Sequence, residues 1–363
     1  MDRMAAMKTR MIRDRVSRIR RQLRDKDLDG LILTRPVDVS YVTAFAGEDS
    51  WALITKTTVY LITDSRYTEQ AQKECLHTTI VERRDPIAKA TAQLLGKLKS
   101  VEVVAVDKSI SLTSYQTVRK ALGRNLRTVD GLVETARSVK DSLETAAVRT
   151  ASDIAADALE AALSSIRPGI AESELAGIVD LEIRKRGSKN SFETIVAFGP
   201  NASRPHHQPT LRKLRKRDTV LIDFGARSNG YCSDITRCFV VGRPSRRYKQ
   251  AYETVEKAQA AAIGVACAGA SIKEVDAAAR AVVRESGFPV YGHGTGHGLG
   301  LEIHEMPYLR EDAKGRLQTG QIVTIEPGIY LPGEFGIRIE DDILITEQGC
   351  EILTSRCTHT PLP

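Results

Sequence analysis

The chain has 363 residues, 42% of them hydrophobic and 27% charged, which is ordinary for a globular protein with room for two domains and large cores. No apolar run approaches the length of a membrane span, and the six cysteines (Cys75, Cys232, Cys238, Cys267, Cys350, Cys357) form no C-x-x-C pair and no dense framework. A net charge of +7 raises the question of nucleic acid, but the basic clusters RKLRKR (212 to 217) and RPSRRYK (243 to 249) lack interleaved aromatics and fall where turns are expected, so solvated loops are predicted.

In chain order, the opening MDRMAAMKTRMIRDRVSRIRRQLRDKD lacks the apolar centre of a signal peptide, and Asp2, Asp14, Asp25 and Asp27 argue against a transit peptide. Ile12, Val16, Ile19 and Leu23 share one helical face, which predicts an amphipathic helix with a solvated basic side. Reduced, structural cysteines and a cytoplasmic location are expected. From about residue 12 to 130, helical patterns alternate with the strand-like runs GLILT, WALIT, TVYLIT and VEVVAV, so the first domain reads as α/β. Trp51, the single tryptophan, is expected in its core. The polar stretch VKDSLET, within 131 to 147, marks a crossing, and domains are placed at 1–135 and 136–363.

The second region contains a weak internal repeat. AALSSIRPGIAESEL (161 to 175) aligns with AAIGVACAGASIKEV (261 to 275), and the pairs Gly169 and Gly269, Glu174 and Glu274, Arg184 and Arg284, and Gly187 and Gly287 match. Further on, LRKRDTVLIDFG (214 to 225) aligns with LQTGQIVTIEPG (317 to 328), placing Asp223 opposite Glu326. Two such alignments in order, each helix then strand, predict a duplicated unit packed about a pseudo-twofold axis.

Between the repeated blocks lies GHGTGHGLGLEIHE (292 to 305), with three of the seven histidines and five glycines at alternate positions. No register fits G-x-G-x-x-G and no Gly-Lys-Ser/Thr follows, which argues against a phosphate loop. Each interior glycine costs a helix about 1 kcal/mol relative to alanine, so the segment is extended or looped. Its glycines are there to let a ligand or another strand approach the histidines. Partners for the histidines come from the repeat: Asp223 and Glu326 at matching strand positions, then Asp234 in YCSDITRCFVV and Glu340 in GIRIEDDILI. Carboxylates in apolar strands need compensation. Salt bridges to Arg237 and Arg338 account for one or two of them. A pair of divalent cations accounts for four converging with a histidine.

These residues resemble the pita-bread metallopeptidases, specifically their Xaa-Pro aminopeptidase and prolidase branch. LIDFGARSNGYCSDITR, GHGTGHGLGLEIHE, TIEPGIY and RIEDDILI are similar to its signature blocks in order and spacing, and IVAFGPNASRPHH to the block with a substrate-facing histidine. The similarity runs from about residue 140 to 354, and the first domain, including TDSRYTEQA, looks like that branch's N-terminal domain. The resemblance implies an N-terminal α/β domain and an α+β pita-bread catalytic domain. It implies two metal ions held by Asp223, Asp234, His297, Glu326 and Glu340, with Asp234 and Glu340 bridging. An oxygen-rich site with one imidazole suits Mn²⁺ first, with Co²⁺, Fe²⁺ or Zn²⁺ as alternatives. Glu326 is implied to shuttle a proton, His304 to bind substrate or oxyanion, His206 to face the leaving residue and His293 to shape the pocket. Arg338 is implied to orient the bridging carboxylates. His207 is expected to point away from the site, and His77 and His359 to lie at the surface.

The implied substrates are peptides with proline second, and the implied assembly is a homodimer, with no nucleic-acid or membrane partner. Relatives that have lost their ligands, and metal-free creatinase-like hydrolases, are alternatives weakened by the complete ligand set. Dipeptidase relatives often carry arginine where this chain has Tyr308, so an aminopeptidase favouring X-Pro-Y is expected, with an Xaa-Pro dipeptidase as the alternative if Arg310 reaches the same carboxylate.

Overall fold

Ile12, Val16, Ile19 and Leu23 are buried along one face of helix α1 (Arg3–Asp25), while Arg10, Arg13, Arg21 and Arg24 stay in solvent. The structure is a computed structural model that describes residues 3–122 and 125–357, and it divides into two units between Arg137 and Ser138. Expected at the surface, His359 lies outside the described residues.

In the first unit a mixed six-stranded sheet has the order β4-β3-β2-β1-β5-β6. Its strands are β1 (Gly30–Leu33), β2 (Trp51–Thr55), β3 (Val59–Thr63), β4 (Thr79–Glu82), β5 (Val104–Asp107) and β6 (Leu126–Val129). The first four strand-like runs of the sequence thus supply β1, β2, β3 and β5. Central β1, buried at all four residues, pairs antiparallel with β2 and parallel with β5, as its unbroken apolar run requires. Helices α2 (Pro36–Thr43), α3 (Thr68–Glu74), α4 (Ile87–Lys97), α5 (Leu112–Leu122) and α6 (Leu132–Ser138) connect the strands or follow them. Trp51 packs in the core with Ile32, Leu53 and Ile62. His77 departs from its expected surface position: it is half-buried and its Nε2 lies 3.1 Å from the carbonyl oxygen of Val42, where the imidazole satisfies a helix-end acceptor.

The second unit opens on α7 (Ser142–Leu163), whose start explains VKDSLET. Asp141 accepts from the backbone N–H groups of Leu143 and Glu144, and the Glu144 carboxylate accepts from Asp141 N, a closed capping box. Three further helices are α8 (Glu172–Lys185), α9 (Arg246–Val265) and α10 (Ile272–Glu285). The strands are β7 (Lys189–Asn190), β8 (Ile195–Phe198), β9 (Thr219–Phe224), β10 (Ala226–Ser228), β11 (Tyr231–Cys232), β12 (Ile235–Val240), β13 (Gly296–Gly298), β14 (Glu305–Leu309), β15 (Ile322–Ile325), β16 (Gly328–Leu331), β17 (Phe335–Arg338), β18 (Asp341–Ile345) and β19 (Cys350–Ile352).

The repeat is physical. Helices α8 and α10 are 14 residues each and pack on α7 and α9 respectively. Gly169 N donates to Leu214 O and Leu214 N to Ile170 O, while Gly269 N donates to Leu317 O and Leu317 N to Ala270 O. Gly169 and Gly269 share a left-handed backbone, φ 95° and 85°, which a glycine adopts without a Cβ clash. Each half then runs into a buried strand, β9 in the sheet β12-β9-β8 and β15 in the sheet β14-β13-β15-β18-β19. A bridge from Thr236 to Glu340 joins the two halves.

Below that bridge lies a buried polar network. Arg237 donates to the carbonyl oxygen of Glu340 and to Asp341 Oδ1, each at 2.6 Å, and Gln259 and Thr354 also donate to Asp341. Removing one partner of a buried pair leaves an uncompensated charge, so Arg237→Ala is expected to destabilise the fold by about 3–5 kcal/mol. A denaturant midpoint unchanged from wild type would refute that role. All six cysteines are free, and four are buried. Within the basic segment 212 to 217, Lys213, Arg215, Lys216 and Arg217 are solvated as expected; Arg212 is not, because it donates to Phe198 O and Asp218.

Candidate metal centre

The glycines of the histidine segment answer to a neighbouring strand. A Cβ on Gly296 would stand 1.9 Å from Thr324 O, and one on Gly298 2.3 Å from Met306 O, so β13 fits between β14 and β15 only without side chains there. The intervening His297 is thereby pressed into the unit's interior from a strand rather than a loop. Asp223 comes from β9, opposite Thr236 of β12; Asp234 precedes β12, Glu326 follows β15, and Glu340 precedes β18.

Ligand atoms of Asp234, His297 and Glu340 lie within 4.8 Å of one another, all three residues buried. Glu326 joins through His297, whose Nε2 lies 3.5 Å from Glu326 Oε1 and 3.7 Å from Asp234 Oδ2. Asp223 stands outside the tight triad, and one of its oxygens accepts from Arg338.

Donor chemistry shows that this group suits a cation. His297 Nδ1 is 3.0 Å from Gly298 O, a pure acceptor, so Nδ1 carries the proton and Nε2 presents a lone pair. That lone pair faces carboxylate oxygens, acceptors toward an acceptor, at distances too long for hydrogen bonds. Asp223 Oδ1 is also buried with no hydrogen-bond partner among the described residues. A divalent cation would supply the positive partner that these atoms lack.

The electrostatics agree. Burial, then repulsion from Glu340, Asp223, Asp342 and Glu326, pushes the Asp234 carboxyl well above its usual range. Burial, then repulsion from Glu326 and Asp223, does the same to Glu340. Burial pushes Glu326 up to about 7, opposed by the positive charge of Arg338 and aided by the smaller repulsion from Asp223. Burial and the neighbouring His304 bring His297 down to about 4, and burial with Arg338 brings His293 to about 4. Without a cation, burial and mutual repulsion therefore work against the charged forms of these carboxyls, and burial works against the charged imidazoles.

Around the acids lies a cavity of about 530 Å³, whose wall includes His206, His304, His293, Tyr308 and Arg310. The His304 ring sits edge-on to His297 with centroids 4.4 Å apart. His293 has both nitrogens engaged: Nδ1 is 2.7 Å from Gly294 O, and Nε2 is 3.0 Å from Tyr330 Oη, which itself accepts from Arg338 Nη1 at 3.0 Å. Thus Arg338, Tyr330 and His293 form one donor chain that fixes the imidazole as a wall. Arg338 reaches Glu340 by way of Thr236: its Nε donates to Thr236 Oγ1 at 3.0 Å, and that hydroxyl lies 2.6 Å from Glu340 Oε2. The remainder of its fork goes to Asp223, so its direct carboxylate partner is Asp223 rather than either residue assigned to bridge.

Sequence reading overlooked Thr236 and Tyr330. Thr236 stands two residues past Asp234, the second residue of β12, and was legible in that short spacing. Tyr330 gave no such signal, because its hydroxyl is placed by the pairing of β16 with β17.

A fold with these two units and this acid-rich centre defines a pita-bread metallopeptidase. Residues 146–347 match metallopeptidase family M24, residues 15–139 match the creatinase/prolidase N-terminal domain, and the chain belongs to that family. It is therefore a peptidase enzyme. The chain is 37% identical to a solved Xaa-Pro dipeptidase from Bacillus anthracis, covering 94% of this chain and 97% of that one, with a TM-score of 0.91. It is 35% identical to an X-Pro aminopeptidase from Thermotoga maritima MSB8, over 93% and 97% of the two chains, with a TM-score of 0.86. Identity with the Xaa-Pro dipeptidase of Pyrococcus furiosus is 31% over 94% of this chain and 98% of that protein. Among the described residues no helix is long and apolar enough to cross a membrane.

Proposed function

We propose that this peptidase is an Xaa-Pro dipeptidase working with two divalent cations, Mn²⁺ first and Co²⁺, Fe²⁺ or Zn²⁺ as alternatives. Asp223, Asp234, His297, Glu326 and Glu340 would hold them. When bound, the cations supply Lewis-acid polarisation of the scissile carbonyl and a nucleophile at neutral pH. Glu326 takes the proton of the attacking water and returns it to the leaving nitrogen. His304 donates to the oxyanion, His206 meets the leaving residue, and the fixed His293 ring shapes the wall beside it. Proline's missing N–H is no obstacle, because no step requires it.

One observation carries the preference for two-residue substrates. Arg310 borders the cavity and stands with its Nε 2.8 Å from exposed Asp312, and among the described residues its terminal N–H groups make no hydrogen bond, which leaves them for a substrate carboxylate. Tyr308, opposite His297 in the β13–β14 register and 44% exposed, adds one hydroxyl donor. The aminopeptidase expectation rested on Tyr308 lacking a charge, and Arg310 two residues on supplies that charge. The similarity to two proteins named Xaa-Pro dipeptidase supports the same choice.

Comparing kcat/KM for Ala-Pro and Ala-Pro-Ala tests the reading. The dipeptide is expected to be the better substrate, and Arg310→Ala should reduce its kcat/KM by roughly ten- to a hundredfold, the worth of a hydrogen bond to a charged group. Ala-Pro-Ala should lose little. A wild-type preference for the tripeptide would return the assignment to an Xaa-Pro aminopeptidase, with Tyr308→Arg as the next variant.

A further inference from the structure

The segment between β8 and β9 carries two adjacent histidines that both border the cavity, although His207 was expected to point away from it. His206 is exposed on the cavity wall. His207 is buried, and its Nε2 lies 2.9 Å from Glu172 Oε2. Glu172 is the first residue of α8 and fully buried. Beyond His207 it accepts from Phe198 N and Asn201 Nδ2, both at 2.8 Å, and from Thr210 N at 3.0 Å and Thr210 Oγ1 at 2.6 Å. These donors span the excursion from its departure at Phe198 to its return at Thr210.

Burial alone would push the Glu172 carboxyl up, but the donors from His207, Thr210, Phe198 and Asn201 outweigh it and hold the group below its usual range. An ionised acceptor at a helix N-terminus is also favoured by the helix dipole. Arg212 closes the base of the same excursion, with Nε 3.0 Å from Phe198 O and Nη2 2.8 Å from Asp218 Oδ2. Among these contacts His207 is the one adjacent to His206, so its ring sets the backbone from which His206 projects.

We propose that Glu172 and His207 form a buried clamp that fixes the position of His206, making His207 a positioning residue that acts through its neighbour. The clamp rests on the peptidase reading only where His206 is given its role at the substrate. A group moved by about 1 Å from its working position can cost on the order of 10²-fold, so an indirect role is measurable.

The test is a cycle of four metal-loaded proteins assayed on Ala-Pro: wild type, His207→Leu, His206→Ala and the double variant. His207→Leu should reduce kcat/KM about tenfold in the wild-type background and less than about twofold where His206 is already absent. His207→Gln, whose amide N–H can stand where Nε2–H stood, should recover activity to within about threefold. Thr210→Val removes another donor to the same carboxylate at an exposed position, and should show the same coupling to His206 even if His207→Leu folds poorly. Metal content should match wild type throughout. Hydrogen exchange over residues 198–212 should quicken in His207→Leu, while residues 291–299 stay as they are. Equal losses in both backgrounds, or full activity in His207→Leu and Thr210→Val, would overturn the clamp. A wild type unable to cleave Ala-Pro would refute the peptidase reading instead. In that case the exchange measurement judges the clamp alone, and unchanged exchange over 198–212 overturns it.

Discussion

Asp234→Ala is expected to purify with little or no bound metal and to lose kcat/KM by at least roughly 10³-fold, the upper scale of one lost electrostatic stabiliser. Asp234 sits between His297, Glu340 and Glu326, and its own carboxyl is the one raised by four neighbouring acids. Truncating it removes a donor from the middle of the cluster and weakens the reason for a cation to enter. The metal-free variant should also gain relative to metal-free wild type, because one repelling carboxyl is gone. Wild type should be stabilised by added Mn²⁺ by about 2.7 kcal/mol at a hundred times Kd, and the variant by almost nothing. His304→Ala is the control: its ring touches the cavity and His297, so it should keep its metal and lose kcat by roughly 10²- to 10³-fold. Elemental analysis and melting curves decide the matter. A metal-free His304→Ala beside a metal-loaded Asp234→Ala would reverse the ligand assignment.

Glu326→Gln should reduce kcat by roughly 10²- to 10⁴-fold, the range for a positioned general base. The amide keeps an oxygen toward His297 and keeps the volume, but it cannot accept and return a proton. Burial is the main cause that raises this carboxyl to about 7, with Arg338 opposing it and Asp223 adding to it, so the dry surroundings chiefly set its basicity. KM for Ala-Pro should change far less than kcat, since Glu326 acts on the moving proton rather than on binding. Activity within about threefold of wild type, with metal content equal, would move the proton transfer to another group.

Much of this was legible in local pattern. Short, nearly continuous apolar runs located β1, β2, β3 and β5, and the face of Ile12, Val16, Ile19 and Leu23 located α1, because a strand covered on both faces is apolar throughout while a surface helix repeats every 3.6 residues. The hundred-residue repeat exposed α8 and α10 as equivalent helices, since each half must bury the same kind of face. Spaced glycines showed that something approaches the backbone at 292 to 300, and Gly296 and Gly298 meet Thr324 and Met306 there.

What residue types alone determined was a set of carboxylates and imidazoles too costly to bury without a cation, and therefore a class of chemistry. Which of them meet was decided by tertiary structure. Arg338 is 115 residues from Asp223, and His207 is 35 from Glu172, separations at which no period relates one side chain to the other. Tyr308 and Arg310 lie two residues apart, yet Tyr308 is held in β14 beside His297 while Arg310 stands just past the strand with part of its fork free. Strand register and the packing of the two halves set those directions, and hydrogen-bond geometry, which depends on tenths of an ångström, exists only once the chain has folded.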